Sequence, residues 1–386
     1  MCSATARYPV LTDEAIQEAR KLIGVELRTY PRKTEASKDN IFSFARAIGS
    51  RNPLFQEETY ADSTCWGGLI AYPTFLYAVD DTLVAPKLAG IHSIYAGTDW
   101  EFYRWVHKGD SLRATRKLTD VVEKEGRFCG RMALQIGEIV YTNQYGNRVA
   151  KATSYVMRTP RNAAVERGLY KDMTMYGYTE EETNNIIKLY EGEQIQGNQV
   201  RYWEDVKKGE QLVSVVKGPL TSEDMQHFVK TCMCVPLMDY FVEHIKRHPA
   251  DVYWRPELNM PDTWVASLID RTVAQEFGFP EAHDAGFQRI CWLDNLVTNW
   301  MGDLAFLKKL SARVLRPNIY FDTTLCKGAI TQKYQHGEEY AVDINVWCEN
   351  QRHEVTAKGS ATVILPSKDP ASLPPLVNIP RYSKKV

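Results

Sequence analysis

Apolar residues recur at two periods along this chain, and the switches between them predict its elements. Ile41, Phe44, Ala45 and Ile48 share one face of a helix running from about Ser37 to Ile48, with Ser37 as its N-cap. Residues 49–68 hold Gly49, Asn52, Pro53, Gly67 and Gly68 and read as loop. Leu69 to Val84 is apolar almost throughout, the composition of a buried central helix, in spite of Pro73. From Leu112 onward three long stretches read as strands, Met132 to Tyr141 among them. Residues 160–200 are charged and poor in β-branched core, so they predict a linker with a surface helix around Glu180–Tyr190. A second series then begins with strand-like Leu212 to Val216 and a short helix to Phe228, capped by Thr221 or Ser222 with Asp224 in its first turn. Ile290, Leu293, Leu296, Val297, Trp300 and Met301 return to helical spacing. In the last strands Tyr340, Val342, Ile344 and Val346 alternate with Ala341, Asp343 and Asn345, as a sheet with one buried face requires.

The two series repeat one another. Gly24, Ser37 and Asp39 are answered by Gly209, Ser222 and Asp224, each 185 residues later. Val149 to Thr153 is answered by Thr356 to Ser360, behind Asn143-Gln144 and Asn350-Gln351 respectively. Gly68 to Gly286 is a displacement of 218, so about 33 residues are inserted in the second copy. Two copies are too few for a solenoid and predict a fused pseudo-dimer, with a site at or beside the seam. The expected class is α+β: a long central helix wrapped by an antiparallel sheet, made twice. The first unit is placed at 1–160, the linker at 161–200, the second unit at 201–366 with its insertion at about 232–275, and a Pro-rich tail at 367–386. His248-Pro249, Pro256 and Pro261 predict that the insertion is an irregular excursion over the surface or a pocket mouth.

Composition narrows the function classes. With 44% apolar and 25% charged residues in 386, the chain has an ordinary globular make-up. A formal net charge of -1 supplies no basic field for nucleic acid, and no apolar run reaches the length of a membrane span. Met1 to Lys21 lacks the uninterrupted apolar core of a secretory signal, and eight scattered cysteines are no disulfide framework, so a reducing cytoplasm is expected. Cys232 and Cys234, with His227 and His244 nearby, lack the spacing and the second pair of a zinc site and read as buried thiols. Neither metal nor cofactor is expected.

Two segments carry a family resemblance. Phe44-Ala45-Arg46-Ala47-Ile48-Gly49-Ser50-Arg51-Asn52-Pro53-Leu54-Phe55, followed by Gly67-Gly68-Leu69-Ile70-Ala71-Tyr72-Pro73-Thr74-Phe75, resembles the fungal fatty-acid-synthase-type dehydratase domain. Asp205-Val206-Lys207-Lys208-Gly209-Glu210 and Leu293 to Leu307 are similar to the MaoC-like dehydratase group. The resemblance covers most of residues 20–365 and implies a double hotdog fold. It also implies hydration of 2-enoyl thioesters or dehydration of 3-hydroxyacyl thioesters, on coenzyme A or an acyl-carrier protein. The group uses an Asp and a His five residues later, in a Gly-Asp-x-Asn-Pro-x-His segment, to handle water and the α-proton, while N–H groups at the start of the central helix polarise the thioester carbonyl.

The chain departs from that motif in both copies. Ser50 and Phe55 stand at the dyad positions of the first, and Thr263 and Leu268 at those of the second, when Asp270 and Ala274 are set against Glu57 and Ala61. Two replacements are open. Asp239 and His244 keep the spacing of five, though without Asn-Pro between them and in helical surroundings, where chance spacing is the default reading. His283 and Asp284 stand where the second central helix begins, as acid–base groups or as its cap. For substrate binding, Gly286 is expected at the carbonyl. Arg289 either holds a phosphate or carboxylate or makes a salt bridge. Tyr72 beside Gly67 and Gly68, with Trp66, lines an acyl tunnel or packs the core. Asn299 has structural hydrogen bonding as its default. The expected activity is a hydro-lyase of non-standard site, with the excursion shaping a pocket for a bulky acyl group. The alternative is a non-catalytic thioester-binding or scaffolding subunit. A homodimer or pairing with another hotdog chain suits either.

Overall fold

A computed structural model of the chain describes residues 9–29, 33–126, 130–161, 166, 168–233, 241–247, 252–255 and 258–369. Twelve strands are present among them: β1 (Glu26–Leu27), β2 (His92–Phe102), β3 (Leu112–Gly126), β4 (Gly130–Asn143), β5 (Arg148–Thr159), β6 (Val215–Lys217), β7 (Val252–Arg255), β8 (Met260–Thr263), β9 (Phe306–Val314), β10 (Thr324–His336), β11 (Glu339–Asn350) and β12 (Val355–Ile364). Ten of them form one sheet in the order β1-β3-β4-β5-β2-β9-β12-β11-β10-β6, which reads alike from both edges. Its midpoint, β2 against β9, joins the two copies. There Asp99 faces Ser311 in register, and Arg313 reaches Asp99 at 2.6 Å.

The duplication extends to details that conserve backbone hydrogen bonds. Thr119 in β3 and Thr331 in β10 are each the extra residue of a bulge, and each hydroxyl donates to a carbonyl of the next strand, Ile136 at 3.0 Å and Asp343 at 3.1 Å. The repeated Asn-Gln turns have the same explanation. Asn143 Oδ1 accepts from the backbone N–H of Tyr145 and Asn147, and Asn350 Oδ1 from Arg352 and Glu354. Gln144 Oε1 accepts from Ser111 N and Gln351 Oε1 from Thr323 N, both at 2.9 Å.

The second central helix, Gly286–Met301, is as expected, and every residue from Phe287 to Met301 is buried. Its first-copy counterpart is not. Leu69 to Val84 holds only a 3-10 helix, Pro73–Ala78. Two short carboxylates end it. Asp80 Oδ1 accepts from Thr82 N at 2.9 Å and Asp81 Oδ1 from Leu83 N at 3.0 Å, replacing helical hydrogen bonds, and Thr82 turns to φ +60°. The fully buried Arg158 then holds the following loop, donating to the carbonyls of Ala85 at 3.0 Å, Leu88 at 2.8 Å and Ile91 at 2.9 Å. The apolar run therefore stays in the core as a strapped loop.

The remaining expectations fare unevenly. Helix Glu180–Glu191 is present in the linker, and Ser37 and Thr221 cap helices Lys38–Ala47 and Ser222–Cys232. The expected strand at Leu212 shrinks to β6, with a single bridge at Gln211. Part of the insertion is regular: a helix, Phe241–Arg247, and the hairpin β7–β8, in which Pro261 stands outward on a two-stranded ribbon. Cys234, Asp239, His248-Pro249, Pro256 and most of the tail lie outside the described residues. Among the described residues no helix is long and apolar enough to cross a membrane.

Candidate functional site

Beside each lost dyad the structure repeats one local design. A 3-10 helix, Pro53–Phe55, precedes helix Glu58–Ser63, and 3-10 helix Trp264–Leu268 precedes helix Arg271–Glu276. The second helix pair lies 213 residues after the first, the displacement that sets Ser50 and Phe55 against Thr263 and Leu268. The two surroundings are chemically different.

In the first copy the dyad positions are sealed. Phe55 stacks on Tyr72 at 3.8 Å between ring centroids. Ser50 Oγ and Tyr72 OH share a hydrogen bond of 2.5 Å, and Asn295 of the central helix donates to Tyr72 at 3.0 Å. Lys217 Nζ donates to Asn295 Oδ1 at 2.6 Å and to the Gly49 carbonyl at 2.7 Å. Asn52 and Asn295 both donate to Asn299 Oδ1, and Asn299 donates to Glu193 at 2.8 Å, which pairs with Arg51. Burial pushes the Tyr72 hydroxyl well above the ordinary range and holds Lys217 down at about 8.

The start of the first copy's 3-10 helix is filled as well. Pro73 has no N–H to offer, and Asp294 from the second copy accepts from Thr74 N at 2.8 Å and Thr74 Oγ1 at 2.6 Å. Burial raises the Asp294 carboxyl to about 7. Gly67 and Gly68 close the turn after helix Glu58–Ser63, donating to Thr64 and Ala61 carbonyls, with φ of +57° and +154°. Trp66 donates to the Asp303 carbonyl at 2.8 Å.

The second copy differs at the same place. Helix Gly286–Met301 starts behind Ala285, and no side chain caps it. Neither His283 nor Asp284 is that cap. His283 Nδ1 lies 2.9 Å from the Asp284 carbonyl oxygen, and Nε2 lies 3.4 Å from Ser267 Oγ, beside the Leu268 position. Phe279 packs on the imidazole at 4.1 Å. Burial holds His283 down at about 4, against the pull of the Asp284 carbonyl and aided by Arg289. His92, from the first copy, stacks on Phe277 at 5.0 Å and is held near 3 by burial and then by Arg161.

Asp284 and Arg289 form a fully buried pair at 2.7 Å. Asp284 also accepts from Asn318 N at 3.1 Å and Asn318 Nδ2 at 3.2 Å, and Arg289 donates to the Thr356 carbonyl at 2.8 Å. Burial pulls the Asp284 carboxyl up against these donors. Of the two readings of Arg289, the salt bridge is the one present. His244 is buried on the insertion's helix, and its partner at a spacing of five, Asp239, lies outside the described residues.

Sequence reasoning missed Lys217, Asp294, Asn295, Ser267 and His92. The signal for Asp294 and Asn295 was present: a helix apolar all round has no solvent face, so each polar residue in it needs a buried partner. Lys217 ends an apolar strand and gave a similar hint. His92 and Ser267 had none.

The profile described as FAS1-like, dehydratase domain region, matches residues 21–152. A UPF0336 protein of Parafrankia sp. (strain EAN1pec) is 31% identical over 126 residues, which are 31% of this chain and 80% of that protein. A 3-hydroxybutyryl-CoA dehydratase of Methylorubrum extorquens is 23% identical over 108 residues, 28% of this chain and 69% of that enzyme. In structure, a MaoC-like dehydratase superposes with a TM-score of 0.60 at 15% identity, over 90% of this chain and 98% of its own. A Mycobacterium tuberculosis protein described as having a double hotdog fold superposes with a TM-score of 0.50 at 11% identity, over 89% and 96%. The first unit is thus similar in sequence to the FAS1-like dehydratase domain region, and across both units the chain has the double hotdog fold seen in MaoC-like structures.

Proposed function

We propose that this chain is a hydro-lyase that adds water to, or removes it from, an acyl thioester of coenzyme A or an acyl-carrier protein, at the start of the second copy's central helix. One observation carries the reading. His283 is held by its neighbour's carbonyl, with Nε2 beside the Ser267 hydroxyl, three residues ahead of a helix start that no side chain caps. With Nδ1–H donating to the Asp284 carbonyl, Nε2 carries its lone pair on the side of Ser267. The thioester carbonyl docks on the N–H groups at the helix start, which stabilise charge on its oxygen as the α-carbon becomes carbanionic.

One imidazole balances the protons. In hydration Nε2 takes a proton from water as its oxygen bonds to the β-carbon, and returns it to the α-carbon. Dehydration runs the same steps backwards. Asp284 is a positioning residue: bonded to Arg289 and Asn318, it fixes the loop that carries His283. Gly286 gives the thioester its approach. Trp264, Phe277 and Phe279 around the imidazoles suit a bulky or ring-bearing acyl group.

The test is hydration of aliphatic and aryl 2-enoyl-CoA thioesters by the purified chain, beside His283→Ala and His244→Ala. Loss of at least 100-fold in His283→Ala alone, at an unchanged melting temperature, is expected. Loss in His244→Ala alone moves the chemistry to the insertion. No turnover by the parent chain, with acyl-CoA still raising its melting temperature, leaves the thioester-binding subunit as the reading. The pH profile is a second check. A base near 4 stays neutral across pH 5–8, so kcat/KM is flat there and falls as the pH drops through about 4.

A further inference from the structure

A cavity of about 400 Å³ lies at the seam, away from His283, between the end of helix Lys38–Ala47, the start of helix Ser222–Cys232 and the central helix. Lys217, Gly49, Tyr190, Gln288 and Trp292 line it, with His227 at its exposed side. Two features of its wall are unfinished. The Lys217 ammonium, 4% exposed, uses two hydrogen bonds on neutral oxygens, Gly49 O and Asn295 Oδ1, and no carboxylate of the described residues pairs with it. Its nearest acid along the network, Glu193, is already taken by Arg51 and Asn299. The Gln288 carboxamide, 1% exposed, makes no hydrogen bond, and its Oε1 is left buried without a donor.

A buried cation held on neutral oxygens, its charge offset only at a distance by Glu193, and a buried amide oxygen without a donor each cost free energy unless a ligand completes them. Both face one cavity. The walls also carry an aromatic face, Trp292, a tyrosine whose hydroxyl is spent on the Gly218 carbonyl at 2.8 Å, and the charged side chains of Arg46 and Glu223. Asp224 on the same rim is also spent, accepting from Thr221 N and Oγ1 in the capping box.

We propose that the seam cavity binds a small hydroxycarboxylate, whose carboxylate pairs with Lys217 and whose hydroxyl donates to Gln288. The third ammonium proton supplies the charge-assisted contact, and the Gln288 amide distinguishes a hydroxy acid from its deoxy analogue. The cavity volume sits in the range that encloses a small organic ligand. Desolvation of Lys217, which lowers its proton affinity in the empty cavity, is relieved when an anion enters. The site stands whether or not the chain turns over a thioester, since none of these groups belongs to the His283 loop.

The full chain is titrated with lactate and 3-hydroxybutyrate, with propionate and butyrate as deoxy analogues, and with chloride at matched ionic strength, read by calorimetry and melting temperature. A saturable shift with a hydroxy acid, about five- to tenfold tighter than its deoxy analogue, is expected. Gln288→Leu equalises the two, and Lys217→Met abolishes both. Lys217→Met also cuts a buried network, so the parent chain carries an independent readout. Reductive methylation mapped by peptide mass spectrometry shows the hydroxy acid protecting Lys217 over exposed Lys230. Binding unchanged in Gln288→Leu, equal effects of chloride and hydroxy acid, or no protection of Lys217 each overturn the proposal.

Discussion

The starts of the two central helices occupy equivalent places and have opposite fates. At Tyr72-Pro73-Thr74 the backbone donor is absent or spent: Pro73 lacks an N–H, and Asp294 takes Thr74. At Ala285-Gly286 no side chain caps the helix, and a histidine stands three residues before it. The difference lies in which copy lends residues to the other. Asp294, Asn295 and Asn299 all come from the second copy's helix and complete polar groups of the first. Duplication supplied two helix starts, and one has been converted into a buried polar junction between the units.

That contrast is broken most severely through Arg289. Its removal leaves Asp284 buried without its cation, and strips a donor from the Thr356 carbonyl. Arg289→Ala is expected to cost 3–5 kcal/mol of stability by chemical denaturation, in the range for broken buried pairs. Turnover fails with it, because the His283 loop loses its anchor. A smaller loss accompanied by retained turnover would mean that Asn318 alone holds the loop.

Asp294→Asn comes next and is read in the pH dependence of stability. The folded carboxyl near 7 lies above its ordinary 3.8, so the folded chain keeps a proton that the unfolded chain releases. The contribution is therefore complete below about 3.8 and lost as the pH rises to about 7, at ~1.4 kcal/mol per pH unit. Asparagine still accepts from Thr74 and does not titrate. The difference in stability between variant and parent should grow in favour of the variant across that window and level off above it. A constant difference would show Asp294 to be ionised throughout.

Tyr72→Phe has a smaller effect. It deletes the hydroxyl joining Ser50 to Asn295 while keeping the stack on Phe55, so a loss of about 1–2 kcal/mol is expected. Turnover at the second copy should stay within twofold. A large loss of turnover without a fall in melting temperature would return the chemistry to the first copy.

The sequence carried the symmetric features well, because they rest on local rules. Repeated caps, Asn-Gln turns and period-2 strands each leave a signature within a few residues, as Ser37 and Asn350 do. The first central helix was misread for a physical reason. Leu69 to Val84 has the burial of a core helix, but Asp80 and Asp81 bond their own backbone and Arg158, 70 residues away in sequence, secures the rest. Of the site, His283, Asp284, Gly286 and Arg289 were visible as polar residues gathered at one helix start. Their division of labour was not, since it depends on Asn318 and Thr356 arriving from strand ends. Lys217 was invisible as a site residue because its partners, Gly49 and Asn295, lie in the other copy and on the central helix.

The least disruptive change is the most discriminating between the copies. Gly286 has an ordinary backbone conformation, and a Cβ there would stand 3.4 Å from Tyr95 and from Val314. Alanine gains helix propensity and meets a slightly tight wall, so stability should change by less than about 1 kcal/mol. Gly68, which closes the turn ahead of the first copy's 3-10 helix, sits at φ +154°, where alanine is strained although the nearest atom, Asp62 Oδ1, is 3.9 Å away. The two substitutions should therefore act in opposite columns. Gly68→Ala lowers the melting temperature and leaves kcat/KM unchanged. Gly286→Ala leaves the melting temperature and lowers kcat/KM at least tenfold, because a methyl pressed on Tyr95 and Val314 shifts the helix start against which the thioester carbonyl is proposed to dock. Equal effects of both on turnover would mean that neither helix start receives the substrate, and would leave the seam as the place where this fold binds its ligand.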